Sequence, residues 1–190
     1  TEGMNPAKEE MARRTNKEGR TGSLADAMVD TDIFIGLSGP ELVDSDMVSS
    51  MKDDAIVFAM ANPVPEIYPD DAAAGGARVI GTGRSDFPNQ INNVLGFPGI
   101  LRGALDVRST DINEEMKIAS ARALADVIEE SELHEEFIIA ESFDRRVVPA
   151  IAAEVARAAM DTGVARIERD PDEIAAKAEK LVEKANRFFD

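Results

Sequence analysis

Residues 81–108 read GTGRSDFPNQINNVLGFPGILRGALDVR and hold the densest run of chemically useful side chains in the chain. Arg84, Ser85, Asp86, Asn89, Gln90, Asn92 and Asn93 come in close succession and lead straight into the apolar stretch LGFPGILRGAL. Uncharged amides at the mouth of a helix suit a ligand that carries a carboxylate or an amide, because they donate and accept without adding charge. The same residue types also serve as ordinary caps and turn formers, and composition by itself does not separate the two roles.

Other patterns are weaker. Gly81-Thr82-Gly83-Arg84-Ser85-Asp86 begins like a dinucleotide fingerprint, but Asp86 stands where the third glycine belongs and no helical pattern follows. A carboxylate there repels a pyrophosphate, so this is not a phosphate loop. Gly36-Leu37-Ser38-Gly39 has the start of a nucleophile elbow, yet Pro40 replaces the closing glycine and no histidine is placed to activate Ser38. The pairs Asp53-Asp54, Asp70-Asp71, Glu114-Glu115 and Glu135-Glu136 fall at helix starts or on polar faces, where solvation accounts for them, and none reads as a metal site. His134, the single histidine, sits among carboxylates on a polar stretch and reads as a solvated surface residue.

The elements that must position these residues follow from the apolar pattern. Residues 32–36, 55–60 and 78–81 are short apolar runs of the kind buried in parallel sheets. Each ends in a polar loop rich in Gly, Pro, Asn or Ser, and helical segments separate them. That alternation predicts an α/β fold, a partial Rossmann-like doubly wound parallel sheet, with ligands at the carboxyl ends of the strands. Asn5-Pro6 predicts a capped helix over 6–17. Ser23 with Asp26 has capping-box spacing, Asp44 caps a helix through 51, and 69–74 fits one or two helical turns. From Asn92 onward the chain turns helical, over 95–106, then from Asp111, whose spacing to Glu114 suggests a capping box. The stripe Met116, Ile118, Ala119, Ala123, Leu124, Val127 and Ile128 has helical spacing. Helices over 146–160 and from Pro171 follow, the last with Ile174, Ala178, Leu181, Val182 and Ala185 on one face.

GTGRSDFPNQINNVLGFPGILRGALDVR, preceded by FAMANPVPEIYPDDA, resembles the C-terminal half of the cofactor-binding domain of a malic enzyme of the small microbial type, and the likeness runs from about Met4 to about Ala165. It implies that residues 1–165 are the C-terminal part of an NAD(P)-binding domain and that 166–190 form an added amphipathic helix. It implies a reaction in which malate is oxidised and decarboxylated to pyruvate with reduction of NAD or NADP. It further implies that Asn62 and Asn93 bind substrate and that Ser38, Asn62, Asn92 and Asn93 line the cofactor. The family's catalytic lysine and tyrosine, its divalent-metal carboxylates and its glycine-rich phosphate loop match nothing in this chain. On this likeness the chain supplies one wall of an active site, holds no catalytic or metal-binding residue of its own, and forms part of a homo-oligomer. The opening TEGMNPAKEE, which begins in mid-pattern, likewise suggests a chain cut from something larger. Two alternatives stay open: another Rossmann-type dehydrogenase, and a non-catalytic binding or assembly module built on the acidic helices after Thr110.

Composition bounds the setting. At 190 residues the chain buries one substantial core. It has no cysteine, which excludes disulfides and thiolate metal sites and fits a reducing cytoplasm. It shows neither a signal-peptide pattern nor a long uncharged apolar run, which argues against secretion and membrane spanning. With 37 acidic and 21 basic residues the net charge is −16, unsuited to neutralising nucleic-acid phosphates. Arginine outnumbers lysine 14 to 7. An acidic, lysine-poor surface repels itself until salt screens it, which points to a salty, halophile-like cytoplasm. The unfolding midpoint is expected to rise as KCl enters the molar range; a midpoint that stays level marks an ordinary acidic protein.

Overall fold

A computed structural model describes residues 3–186, so Thr1, Glu2 and the last residues of the 166–190 segment lie outside the description. Three short strands, β1 (Ile33–Gly36), β2 (Ile56–Ala59) and β3 (Val79–Thr82), pair in parallel in the order β1-β2-β3. Phe34, Val57 and Ile80 lie abreast, as do Gly36, Ala59 and Thr82, so the three carboxyl ends finish level. This is the α/β, Rossmann-like sheet that the apolar runs lead one to expect, with no strand end moved by more than one residue.

Parallel strands must be joined by crossovers. Here these include the helices α3 (Ser45–Ser49) and α4 (Pro69–Ala74), preceded in the chain by α1 (Pro6–Arg14) and α2 (Leu24–Met28). Phe34, Val57 and Ile80 share a core with Met28, Val48 and Ala72 from α2, α3 and α4. The alternate positions on β1 point the other way, and Ile33 and Ile35 are exposed.

Local chemistry sets the helix starts. Asn5 Oδ1 accepts from Lys8 N at 2.9 Å, and Asp44 Oδ1 from Met47 N at 2.8 Å. Ser23 and Asp26 bond reciprocally, the full capping box. Helix α1 stops at Arg14, short of the expected 17, because Thr15 is extended and Asn16 adopts a left-handed φ of 49°.

The second half of the chain is a helical cluster of α5 (Phe97–Asp106), α6 (Glu114–Ala125), α7 (Val147–Asp161) and α8 (Pro171–Asn186). Asn113, not Asp111, caps α6: its Oδ1 accepts from Met116 N at 3.0 Å, whereas Asp111 Oδ1 takes only the neighbouring Ile112 N–H. A cap must immediately precede the first helical residue to reach the third amide, and Asp111 sits too far back. Ile118, counted above on the inner stripe, is exposed; the buried side of α6 is Met116, Ser120 and Ala123. Ala-rich α7 runs through the middle, with Ile151, Ala152, Val155, Ala156 and Ala159 wholly buried.

Two glycines let α5 approach α7. A Cβ at Gly99 would lie 2.6 Å from Ile151 Cβ, and one at Gly103 would lie 2.5 Å from the Ala152 carbonyl oxygen. Helix α8 is anchored by Lys177 Nζ, 2.5 Å from Asp106 Oδ1, and by Ile174 and Ala178; further along, Leu181 and Ala185 are exposed. The apolar face read from the sequence is therefore covered only in its first half. In an open helix Gly→Ala gains about 1 kcal/mol of propensity. At Gly103 the overlap with a backbone oxygen outweighs that gain, and Gly103→Ala is expected to cost about 1–3 kcal/mol net. A urea midpoint that falls with an unchanged slope would show it; an unchanged midpoint would show that the helices can part without penalty.

Candidate functional site

The level strand ends put three loops side by side. After β1 comes Ser38, exposed, whose N–H donates to Glu66 Oε1 at 2.8 Å and whose hydroxyl lies 3.4 Å from the same oxygen. After β2 come Ala61, whose N–H donates to Glu66 Oε2 at 3.0 Å, and then Asn62, exposed, in a cis peptide bond with Pro63. One buried carboxylate thus bonds Ser38 on one loop and Ala61, the neighbour of Asn62, on the other.

After β3 the chain forms the loop that opened the sequence reading. Arg84 grips Asp86 through two bonds of 2.7 and 2.8 Å, and its Nη1 reaches the Pro63 carbonyl at 3.5 Å. Its guanidinium carbon also lies 5.9 Å from the Tyr68 ring centre and 5.7 Å from that of Phe87. Arg84 therefore ties the third loop to the second. The hydrogen bonds from Arg84 hold the Asp86 carboxyl below its ordinary range, and the same pair raises the guanidinium. The two charges cancel at the loop, which leaves its outer surface to neutral groups.

The loop then doubles back beside β3. Ile91 N–H donates to the Thr82 carbonyl at 2.8 Å, and Gln90 bridges Thr82 in parallel. Asn89 is buried with a left-handed φ of 52°. Its amide donates to the carbonyls of Ile80 (2.9 Å) and Glu135 (2.7 Å), and its oxygen accepts from Ile138 N (2.9 Å). This pins the segment around His134 against the sheet. His134 itself is exposed and stacks on Phe137 with ring centres 5.9 Å apart, as a solvated surface residue would.

Asn92 and Asn93 follow at once. Asn92 is half-buried and its Oδ1 accepts from Val94 N at 3.0 Å, a local turn that commits one side of its amide. Asn93 is exposed, and its carbonyl accepts from Gly96 N and Phe97 N, so it stands at the entry to α5. Beside this loop runs a groove of about 750 Å³ lined by Gln90, Asn92, Val94, Phe137, Ser142 and Phe143. Ser142 Oγ donates across it to Gln90 Oε1 at 2.8 Å.

The exposed amides of Asn62 and Asn93 and the hydroxyl of Ser38 fit the carboxamide and ribose of a nicotinamide nucleotide, which are neutral and both donate and accept. Among the described residues, no group of three or more His, Asp or Glu side chains is arranged to hold a metal ion. Among the described residues, too, no helix is long and apolar enough to cross a membrane.

Glu66 is the residue that the sequence reading passed over. Its signal was present: a lone acid inside the apolar, proline-bracketed run Val64-Pro65-Glu66-Ile67, just past a strand end. The ion pairs of Arg84 had no comparable mark.

Known proteins share this arrangement. The family described as "Malic enzyme, NAD binding domain" matches residues 2–160. A bifunctional malic/malolactic enzyme of Bacillus subtilis is 59% identical over 179 residues, covering 94% of this chain and 44% of that protein. An NAD-dependent malic enzyme of Geobacillus stearothermophilus is 52% identical over 167 residues, covering 88% of this chain and 35% of its own length. The crystal structure of malic enzyme from Pyrococcus horikoshii superposes with a TM-score of 0.88 at 42% identity, over 96% of this chain and 42% of that one. The chain thus spans less than half the length of each of these proteins. A parallel sheet with level polar ends, matched over nearly its whole length in sequence and in shape, makes this chain a member of the malic enzyme family through its NAD binding domain.

Proposed function

We propose that this chain serves a malic enzyme that converts malate to pyruvate and carbon dioxide with reduction of NAD or NADP. Its part is one wall of the cofactor and substrate site. The observation that carries this reading is the placement of Ser38, Asn62 and Asn93, all exposed, on loops at the carboxyl ends of one parallel sheet in an NAD binding domain.

In this reading Asn62 and Asn93 donate their amide N–H groups to a malate carboxylate and orient it against the nicotinamide. Ser38 and Asn62 flank the nicotinamide ribose, and Asn92 shapes the turn that presents Asn93. Bound NAD(P) supplies the acceptor for the hydride leaving the hydroxyl-bearing carbon of malate. Because Arg84 neutralises Asp86, the loop after β3 does not repel the substrate's two carboxylates. In this reading the chain contributes no catalytic lysine or tyrosine, no phosphate loop and no divalent-metal ligand, and is inactive by itself. The enzyme works in the cytoplasm as a homo-oligomer, with malate and pyruvate as its small-molecule partners.

The test uses the enzyme that carries this chain, in high salt with a divalent metal, and follows malate-dependent reduction of NAD and of NADP together with carbon dioxide release. Asn93→Ala is expected to lower kcat/KM for malate on the order of ten-fold or more, the range for a lost hydrogen bond to a charged group. Absence of malate turnover in the unaltered enzyme would overturn the reaction. Full activity in Asn93→Ala would keep the reaction and remove Asn93 from the site.

A further inference from the structure

Glu66 is wholly buried, yet among the described residues its partners are two backbone N–H groups and a hydroxyl, with no cation among them. Burying a carboxylate is costly unless its oxygens are satisfied, and a residue kept only for packing here would be apolar. The surroundings are shaped for it. The Glu66 carbonyl accepts from Val43 N at 3.0 Å and the Pro65 carbonyl from Glu41 N at 2.9 Å, which fasten the segment beside the loop after β1. Gly36 at the end of β1 leaves room for the carboxylate: a Cβ there would lie 2.5 Å from Glu66 Cδ and 2.8 Å from each of its oxygens.

The two oxygens serve two different loops, Oε1 that of Ser38 and Oε2 that of Ala61 and Asn62. We infer that Glu66 is a positioning residue of the cofactor site: its carboxylate clamps the loops after β1 and β2 in the spacing that receives the nicotinamide ribose. This rests on the reading above that these loops face NAD(P). The chemistry requires an acid. A carboxylate is acceptor-only on both sides, whereas an amide of the same shape has one acceptor and turns an NH2 group toward the other loop's N–H. Glutamine can therefore hold one loop and must release the other.

The experiment compares the intact enzyme with its Glu66→Gln and Gly36→Ala variants. The second displaces the carboxylate without removing it. Three quantities are read: the dissociation constants of NADH and NADPH from their fluorescence on binding, amide hydrogen exchange, and kcat and KM per folded molecule. Glu66→Gln is expected to weaken NAD(P)H binding and raise the cofactor KM on the order of ten-fold. Exchange should quicken in the segments around 37–39 or 60–63 while the strands keep their protection. Gly36→Ala should show the same pattern. Unchanged binding and loop exchange in either folded variant would overturn the clamp. So would faster exchange spread evenly over the sheet, with KM unchanged and kcat falling in step with the folded fraction, because that is a purely structural loss. Binding and exchange do not depend on malate turnover, so an enzyme inert toward malate would sink the reaction and leave the clamp to be judged on these readouts.

Discussion

Parallel pairing is the constraint from which the rest of this molecule follows. When β1, β2 and β3 run the same way in the register Gly36–Ala59–Thr82, every strand leaves the sheet at one edge and every connection must cross back. The edge then collects three chain reversals whose backbone N–H groups have lost their ladder partners. Burial forbids leaving them unpaired. In this protein the amides of Ser38 and Ala61 are met by a side chain, Glu66, and the end of β3 is met by residues 89–91 folding back. The same requirement that closes the edge also draws polar groups to it.

Electrostatics at that edge contrasts with the rest of the surface. The chain carries a net charge of −16, and two acids at these loops are answered locally, Asp86 by Arg84 and Glu66 by backbone and hydroxyl donors, while Glu41 on the loop after β1 is exposed. Ser38, Asn62 and Asn93 are the exposed neutral groups on these loops. Pairing Asp86 with Arg84 removes the repulsion that an unpaired carboxylate would exert on an anion at this loop.

The strands were legible because each is a short, almost wholly apolar run followed closely by a polar loop rich in glycine, proline or asparagine, although Ile33 and Ile35 of β1 are exposed. Caps made by adjacent chemistry, such as Asn5, Ser23 with Asp26, and Asp44, were legible for the same local reason. Asp111 misled because capping spacing fits two offsets and only the helix start chooses between them. Ile118 and Leu181 misled because periodicity states that a face is apolar, not that a neighbour covers it. Of the candidate site, the loop positions and their amides were readable from residue type. Glu66 was marked as a lone acid in an apolar run and Arg84 by its place in the polar loop, but what each holds was not readable, because those roles come from contacts 28 and 21 residues away in sequence (Ser38 and Pro63), and nothing in a linear pattern records which loops meet.

The helical half contributes to the site through its rigidity. Asn93 has no strand to hold it; its carbonyl is fixed by Gly96 and Phe97 at the start of α5, so its position is that of the helix. Helix α5 in turn cannot slide, because Gly99 and Gly103 seat it against the backbone of α7 at a distance that any larger side chain would widen. Asp106 at its far end is buried and bonded to both Arg102 and Lys177, which brings α8 into the same cluster. Side-chain precision at Asn93 is thus set by close helix packing, while precision at Ser38 and Asn62 is set by hydrogen bonds to one carboxylate. The first mechanism is apolar and short-ranged, and loosens when a void or an overlap is introduced. The second is polar, and is released when one oxygen is lost. A site assembled from both keeps its two walls independent, so damage to the helical packing shifts Asn93 without freeing the loops that Glu66 holds.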